Sequence, residues 1–264
     1  SIALPATMSL DDLMADEPAT RNASGEGAGL EFEEEAVPDP VWPRAKVEIA
    51  QRVFGRGFLV PGGDEQVINV VKSLGLDPVQ SVLDLSMGIG GPGAAVAAKY
   101  GVWITGYERN PALFDIAATV LPTIKSGDQV RANFYDPDTL DLPRKKFDVV
   151  ISSEDMHRVQ DRIALIGKIR NSLKDWGQFL LSDYVLPDEN PPSDRLLTWM
   201  RNRGEPVTLW TREQYEVALA NQGMDIRVVR DESKQFAELI RRDFAEFVNA
   251  LNANKAVTET PVGR

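Results

Sequence analysis

Residues 82–93, VLDLSMGIGGPG, decide the fold, together with YERNP at 107–111. Val82 to Leu85 is a run of strand formers that leads directly into four glycines, at 88, 90, 91 and 93, before the chain turns helical near Ala94. The pattern is a strand, a glycine loop and a helix. Glycines let backbone N–H groups approach a ligand closely, and the start of the following helix adds N–H groups with no partner inside the helix. A second apolar run, Val102 to Tyr107, then delivers Glu108 where doubly wound folds place a carboxylate for the hydroxyls of a ribose. The unit reads as a nucleoside-cofactor site.

Working outward, alternating strands and helices predict an α/β protein with a doubly wound, mostly parallel sheet and helices on both faces. Upstream, helices are expected over Ala45–Phe54 and Glu65–Leu74, joined by GRGFLVPGG at 55–63. Downstream, Asn110 and Pro111 suit the N-cap and first position of a helix running to Val120. A strand over Gln129–Phe134, a loop over 135–146 and an apolar strand, FDVVISS at 147–153, follow. Then come a helix over Arg162–Leu173, a strand over Gln178–Val185, a helix near 193–203, and a helix from Thr211 with Gln214 completing a capping box. The last expected elements are a strand at 225–230 and a long helix near 234–251. The expected organisation is an acidic tail (1–40), a helical lid segment (41–78), the main domain (79–254) and a short C-terminal tail (255–264).

Charge is distributed unevenly. The chain of 264 residues carries 40 acidic and 29 basic side chains, and residues 1–40 hold ten of the acids against one arginine. The tail composition favours disorder and leaves a nearly neutral body, with no clustered basic surface of the kind that binds nucleic acid. The acidic tail, with SLDDLM at 9–14, is a candidate site for a protein partner. There is no cysteine and one histidine, which excludes disulfides, thiolate metal sites and histidine-rich centres. No apolar run reaches the roughly 20 residues of a membrane span, and a cytoplasmic location is expected.

The loop's spacing bears on the cofactor class. Dinucleotide folds place G-x-G-x-x-G directly after the strand, whereas here Asp84 ends the strand and Ser86 takes the first glycine position of a D-x-G-x-G-x-G pattern. That pattern resembles motif I of class I S-adenosylmethionine-dependent methyltransferases, whose fold is Rossmann-like; among them, the small-molecule N-methyltransferases carry an N-terminal helical lid. The resemblance implies S-adenosylmethionine as cofactor and S-adenosylhomocysteine as product. Cofactor contacts are implied at Asp84, Ser86, Gly88, Gly90, Glu108, Arg109, Phe134 and Ser153.

FDVVISSEDMHRV (147–159), GQFLLSDYVLP (177–187) and RVFGRGFLVPGG (52–63) resemble the phosphoethanolamine and sarcosine/dimethylglycine N-methyltransferases. That implies N-methylation of a small amine, with Glu154 and His157 as candidate proton acceptors and Tyr184 orienting the acceptor. Each has a plain structural reading too: Glu154 as a helix cap, His157 as a surface residue at a helix start, Tyr184 as a packed strand residue. Arg158, Arg201 and Arg203 are candidates to receive an anionic group. Several positions depart from the pattern: Arg158 stands where those enzymes have histidine, Ala50 and Phe58 where they have tyrosines, and Phe134 where an aspartate holds adenine, with Asp136 nearby as a substitute. No counterpart of the family's seventh strand follows the long helix. The alternative function is therefore a catalytically inactive binding or regulatory subunit. A nicotinamide oxidoreductase fails on the loop spacing.

Overall fold

The computed structural model describes residues 42–258 except 137, 138 and 189, with the side chains of 253–258 outside the description. The expectations for residues 1–40, including SLDDLM, lie outside the described residues. Two helices, α1 (Arg44–Phe54) and α2 (Gly63–Val71), precede β1 (Ser81–Asp84), α3 (Gly91–Tyr100), β2 (Trp103–Glu108), α4 (Pro111–Val120) and β3 (Val130–Phe134). Then follow β4 (Phe147–Ser153), α5 (Arg162–Ser172), β5 (Leu173–Ser182), β6 (Val185–Leu186), α6 (Asp194–Arg201), β7 (Trp210–Thr211), α7 (Arg212–Asn221) and α8 (Ser233–Thr258).

The central sheet has the order β3-β2-β1-β4-β5, and every pairing in it is parallel. Parallel strands need crossovers on the sheet faces, so both faces are covered and successive residues of one strand enter opposite cores. On β1, Val82 packs with Val71, Val96, Ile104 and Ile151, while Leu83 packs with Val150, Ile166, Ile169 and Leu181. The order changes direction beside β1, so the carboxyl ends of β1, β2 and β4 open a crevice there.

Local chemistry explains most element ends. Asn110 caps α4 by accepting from the N–H groups of Ala112 (3.0 Å) and Leu113 (3.2 Å), with Pro111 in the first turn. Asp161 caps α5 through Ala164 N–H at 2.9 Å, and Thr211 and Gln214 form the expected reciprocal box.

Three expectations need correction. The α2 helix turns into a 3-10 turn at Lys72–Leu74 rather than continuing to Leu74. Strand five starts earlier and ends earlier than the apolar run suggests: Leu173 pairs with Phe147, the next pairing is Gln178 with Val149, and Trp176 (φ 68°) bulges out 93% exposed. Val185 leaves that strand for a small parallel pairing with Trp210. Residues 224–230 form no strand, and Ile226, Val228 and Val229 stay exposed. Their alternation offers a strand face, but among the described residues no ladder partner meets it, so the backbone there has no reason to hold that geometry.

Candidate functional site

The glycine loop is fastened to its neighbours before it meets any ligand. Leu85 N–H donates to Ile151 O (2.9 Å) and Met87 N–H to Tyr107 O (3.2 Å), tying the loop to β4 and β2. Gly90 caps α3 with φ 94°, a conformation suited to glycine. Gly91 permits a close crossing: its N–H donates to Gly57 O at 3.0 Å, and a Cβ there would lie 2.3 Å from that oxygen. The 55–62 segment is thereby laid across the loop.

Ser86 is more than a missing glycine. Its N–H and hydroxyl both donate to Asp84 Oδ1 at 2.9 Å, while its Oγ accepts from Ser153 N–H at 2.8 Å. The hydroxyl therefore staples motif I to the tip of β4. Asp84 is buried, and burial pushes its carboxyl up to about 6 against the opposing Ser86 hydrogen bonds. Glu108 accepts from Gly88 N–H (2.9 Å) and Asn110 N–H (2.7 Å). Burial pushes it up to about 7, with the hydrogen bonds from Asn110 and Gly88 opposing.

Glu154 sits at the tip of β4 with φ 54°, an uncommon backbone conformation for a residue with a side chain. Its N–H donates to Ser182 O at 2.6 Å, and its Oε2 accepts the Tyr184 hydroxyl at 3.0 Å. Burial raises the Glu154 pKa, and the Tyr184 hydrogen bond opposes that rise. Tyr184 in turn packs edge-on to Trp199 (5.3 Å between ring centres) and Phe236 (6.2 Å).

These groups share one crevice of about 1260 Å³ counted out to its open mouth. Ser86, Gly88, Glu108, Ser153, Glu154 and Tyr184 line it, as do Lys46, Arg158 and Arg203. Its apolar wall comes from three places: Ile89 and Leu113 beside the loop, Trp42, Ala50 and Phe54 at the N-terminal end, and Phe236, Ile240 and Phe244 from α8. An adjoining space reaches Asp84 and shares Ser86, Ser153 and Glu154 with the first.

Other expected positions lie elsewhere. Phe134 is 47% exposed, stacks edge-on against Phe114 and does not line the crevice, and Asp136 is exposed. Arg109 is held by Asp155 (3.3 Å) and Glu205 (3.2 Å) behind the crevice wall. Arg201 is exposed, with its guanidinium on Thr198. His157 is neither a surface residue nor a crevice residue: it is fully buried, with Nδ1 2.6 Å from Asp183 Oδ1. Asp183, Glu205, Trp199 and the α8 stripe were not singled out by motif. Phe236, Ile240 and Phe244 recur every fourth residue, a spacing that a core-facing helix shares, and Asp183 stands beside Tyr184 in the quoted SDY segment without a spacing to mark it.

Comparison with known proteins adds the family. Residues 63–228 match the family described as methyltransferase domain. The chain belongs to the methyltransferase-domain family, and its sheet and helices form the Rossmann-like methyltransferase fold. It is 32% identical over 196 residues to phosphoethanolamine N-methyltransferase of Triticum aestivum, covering 74% of this chain and 38% of that protein. A phosphoethanolamine N-methyltransferase of Plasmodium falciparum is 22% identical over 207 residues, covering 78% of this chain and 71% of its own. The chain thus spans well under half the length of the plant relatives it matches. Among solved structures, Haemonchus contortus phosphoethanolamine N-methyltransferase 2, in complex with phosphomonomethylethanolamine and S-adenosylhomocysteine, aligns with a TM-score of 0.72 at 20% identity over 84% of this chain and 51% of that one. At that identity the likeness speaks for the fold.

Proposed function

We propose that this chain is an S-adenosylmethionine-dependent N-methyltransferase of a small amine, releasing S-adenosylhomocysteine. One observation carries the reading: the Glu108 carboxylate and the Glu154–Tyr184 pair open onto the same crevice from at or just beyond the ends of β2 and β4, the strands on either side of β1, with the glycine loop between them. The donor and acceptor set fits the cofactor. Glu108 is placed to accept ribose hydroxyls, Asp84 with Ser86 to receive a cationic amino end, and Ile89 and Leu113 to cover an apolar ring. When bound, S-adenosylmethionine supplies a sulfonium-activated methyl group.

The chain's own contribution is positioning and proton management. An amine arrives protonated at neutral pH and is a nucleophile only once it loses that proton. Glu154, hydrogen-bonded by the Tyr184 hydroxyl, takes the part of proton acceptor, and its burial favours taking the proton up. Lys46, Arg158 and Arg203 line the acceptor end and suit an amine that also carries an anionic group, as phosphoethanolamine does. The rings of Tyr184, Trp199 and Phe236 suit the methylated cation that results.

The test is titration calorimetry with S-adenosylhomocysteine, followed by single-turnover transfer of labelled methyl to phosphoethanolamine, sarcosine and simple amines. Heat followed by labelled amine supports the proposal. Heat without transfer to any acceptor supports the binding-subunit alternative, which rests on Arg158 and Ala50 standing where the N-methyltransferases have histidine and tyrosine. An absence of heat removes the cofactor assignment.

A further inference from the structure

Behind the acceptor end of the crevice, buried polar side chains form a continuous chain. The Tyr215 hydroxyl donates to Asp183 Oδ2 at 2.5 Å, Asp183 Oδ1 lies 2.6 Å from His157 Nδ1, and Arg158 Nε donates to His157 Nε2 at 3.3 Å. Tyr215, Asp183 and His157 are fully inaccessible to solvent, whereas Arg158 lines the crevice. We infer that His157 is a positioning residue, a neutral imidazole with its proton on Nδ1, which holds the Arg158 guanidinium in place at the acceptor end. The inference rests on the methyltransferase reading only for what Arg158 does there.

The proton placement follows from the partners. Arg158 Nε–H can only donate, so Nε2 must present a lone pair. The Asp183 carboxylate accepts from Tyr215 and is left to accept from Nδ1–H as well. A second proton on the ring would point an N–H at a guanidinium N–H, with like charges together and no water to separate them. The groups that face the ring are Asp183 after β5, Arg158 beside it, Arg203 from the segment after α6, and the rings of Tyr184 (5.2 Å) and Trp199 (6.5 Å). Burial lowers the His157 pKa most, Asp183 opposes, and Arg158 and Arg203 lower it further. The backbone around the ring is fixed too: the His157 carbonyl accepts from Thr208 N–H at 2.9 Å and from Arg162 Nη2 at 3.3 Å. Glu205 Oε1, 3.1 Å from the same Nε, adds an ion pair to the guanidinium.

A histidine so placed cannot meet an incoming amine. It can decide whether Arg158 is ready for one.

The single histidine makes the test direct, because full-length chain labelled with nitrogen-15 in histidine gives one pair of ring signals. The expected spectrum has a protonated Nδ1 and an unprotonated Nε2, unchanged from about pH 8 to about pH 5.5. In Arg158→Ala the Nε2 signal should move while Nδ1 stays protonated. A ring protonated on Nε2, a ring that titrates near its ordinary value, or an Nε2 signal indifferent to Arg158→Ala would overturn the inference.

Kinetics with phosphoethanolamine as the probe supplies the functional arm. His157→Asn keeps a donor for Asp183 and loses the acceptor for Arg158; His157→Gln keeps an acceptor that reaches Arg158. The Asn variant should raise KM about tenfold with little change in kcat, and the Gln variant should recover most of that loss. Neither should change the affinity for S-adenosylhomocysteine, and in an Arg158→Ala background His157→Asn should add nothing. Equal losses in the Asn and Gln variants, or full additivity with Arg158→Ala, would contradict positioning. If the unaltered chain methylates nothing, the proposed function fails while the ring spectra still decide this inference.

Discussion

Glu108 and Asp84 are buried acids whose protonation opposes their proposed work. With folded pKa values of about 7 and about 6, both bind a proton in the folded state at pH values where the unfolded chain has released it. Their contribution to stability is therefore full below the ordinary carboxylate range and is lost as pH rises through about 6 to 7, by at most roughly 3 kcal/mol each. Cofactor affinity should run the other way, since ionised carboxylates accept hydroxyl and ammonium protons, so binding of S-adenosylmethionine should tighten between about pH 6 and about pH 8. Urea unfolding across pH should show the stability slope flattened in Glu108→Gln, and an unchanged slope would contradict the assigned burial cost. Glu108→Ala should weaken cofactor binding in calorimetry by roughly 1.5–3 kcal/mol, the scale of lost hydrogen bonds to a charged group. The position of Glu108 was legible in the sequence because βαβ spacing fixes where the second strand ends. The staple made by Ser86 was not, since motif spacing shows a glycine absent and cannot show a hydroxyl bridging two strands.

At the scale of elements, two local constructions shape the crevice. The first is the crossing of Gly57 over Gly91, which leaves no room for a side chain at Gly91 and a tight fit with φ 88° at Gly57. Gly91→Ala should lower stability by about 1–3 kcal/mol through overpacking, and thermal unfolding with and without S-adenosylhomocysteine should show the ligand's stabilisation reduced as well. The second is the β4 tip, where the strained backbone at Glu154 turns the carboxylate towards Tyr184. Glu154→Ala should depress methyl transfer about 100-fold or more in single-turnover assays while cofactor binding persists. Caps at Asn110 and Thr211 were readable because capping is local chemistry between neighbours in sequence. The early start of strand five at Leu173, its bulge at Trp176 and the unformed strand at 225–230 depend on which backbone lies alongside, and no short window carries that information.

Across the whole molecule, the crevice is bounded by the two ends of the described chain. The α1 helix and the 55–62 segment meet α8, where Phe54 packs edge-on against Phe244 at 5.9 Å and Gly62 N–H donates to buried Asp243 at 2.7 Å. Asp243→Ala would leave that amide without its acceptor and loosen both walls, so it should lower the melting temperature and weaken cofactor binding together. The acids at the strand ends were visible from sequence, and the aromatic walls were not, because a helix stripe facing a crevice has the same period as one facing a core. Among the described residues, no helix is long and apolar enough to cross a membrane. The central claim, that Glu108 and Glu154 flank one site where a methyl group meets an amine, is tested most directly by single-turnover transfer from labelled S-adenosylmethionine, run on the intact chain and on Glu154→Ala with phosphoethanolamine, sarcosine and simple amines. The account predicts label on an amine nitrogen with the intact chain and a loss of about 100-fold or more with the variant. Calorimetric binding of the cofactor with no labelled amine, or transfer indifferent to Glu154, would contradict it.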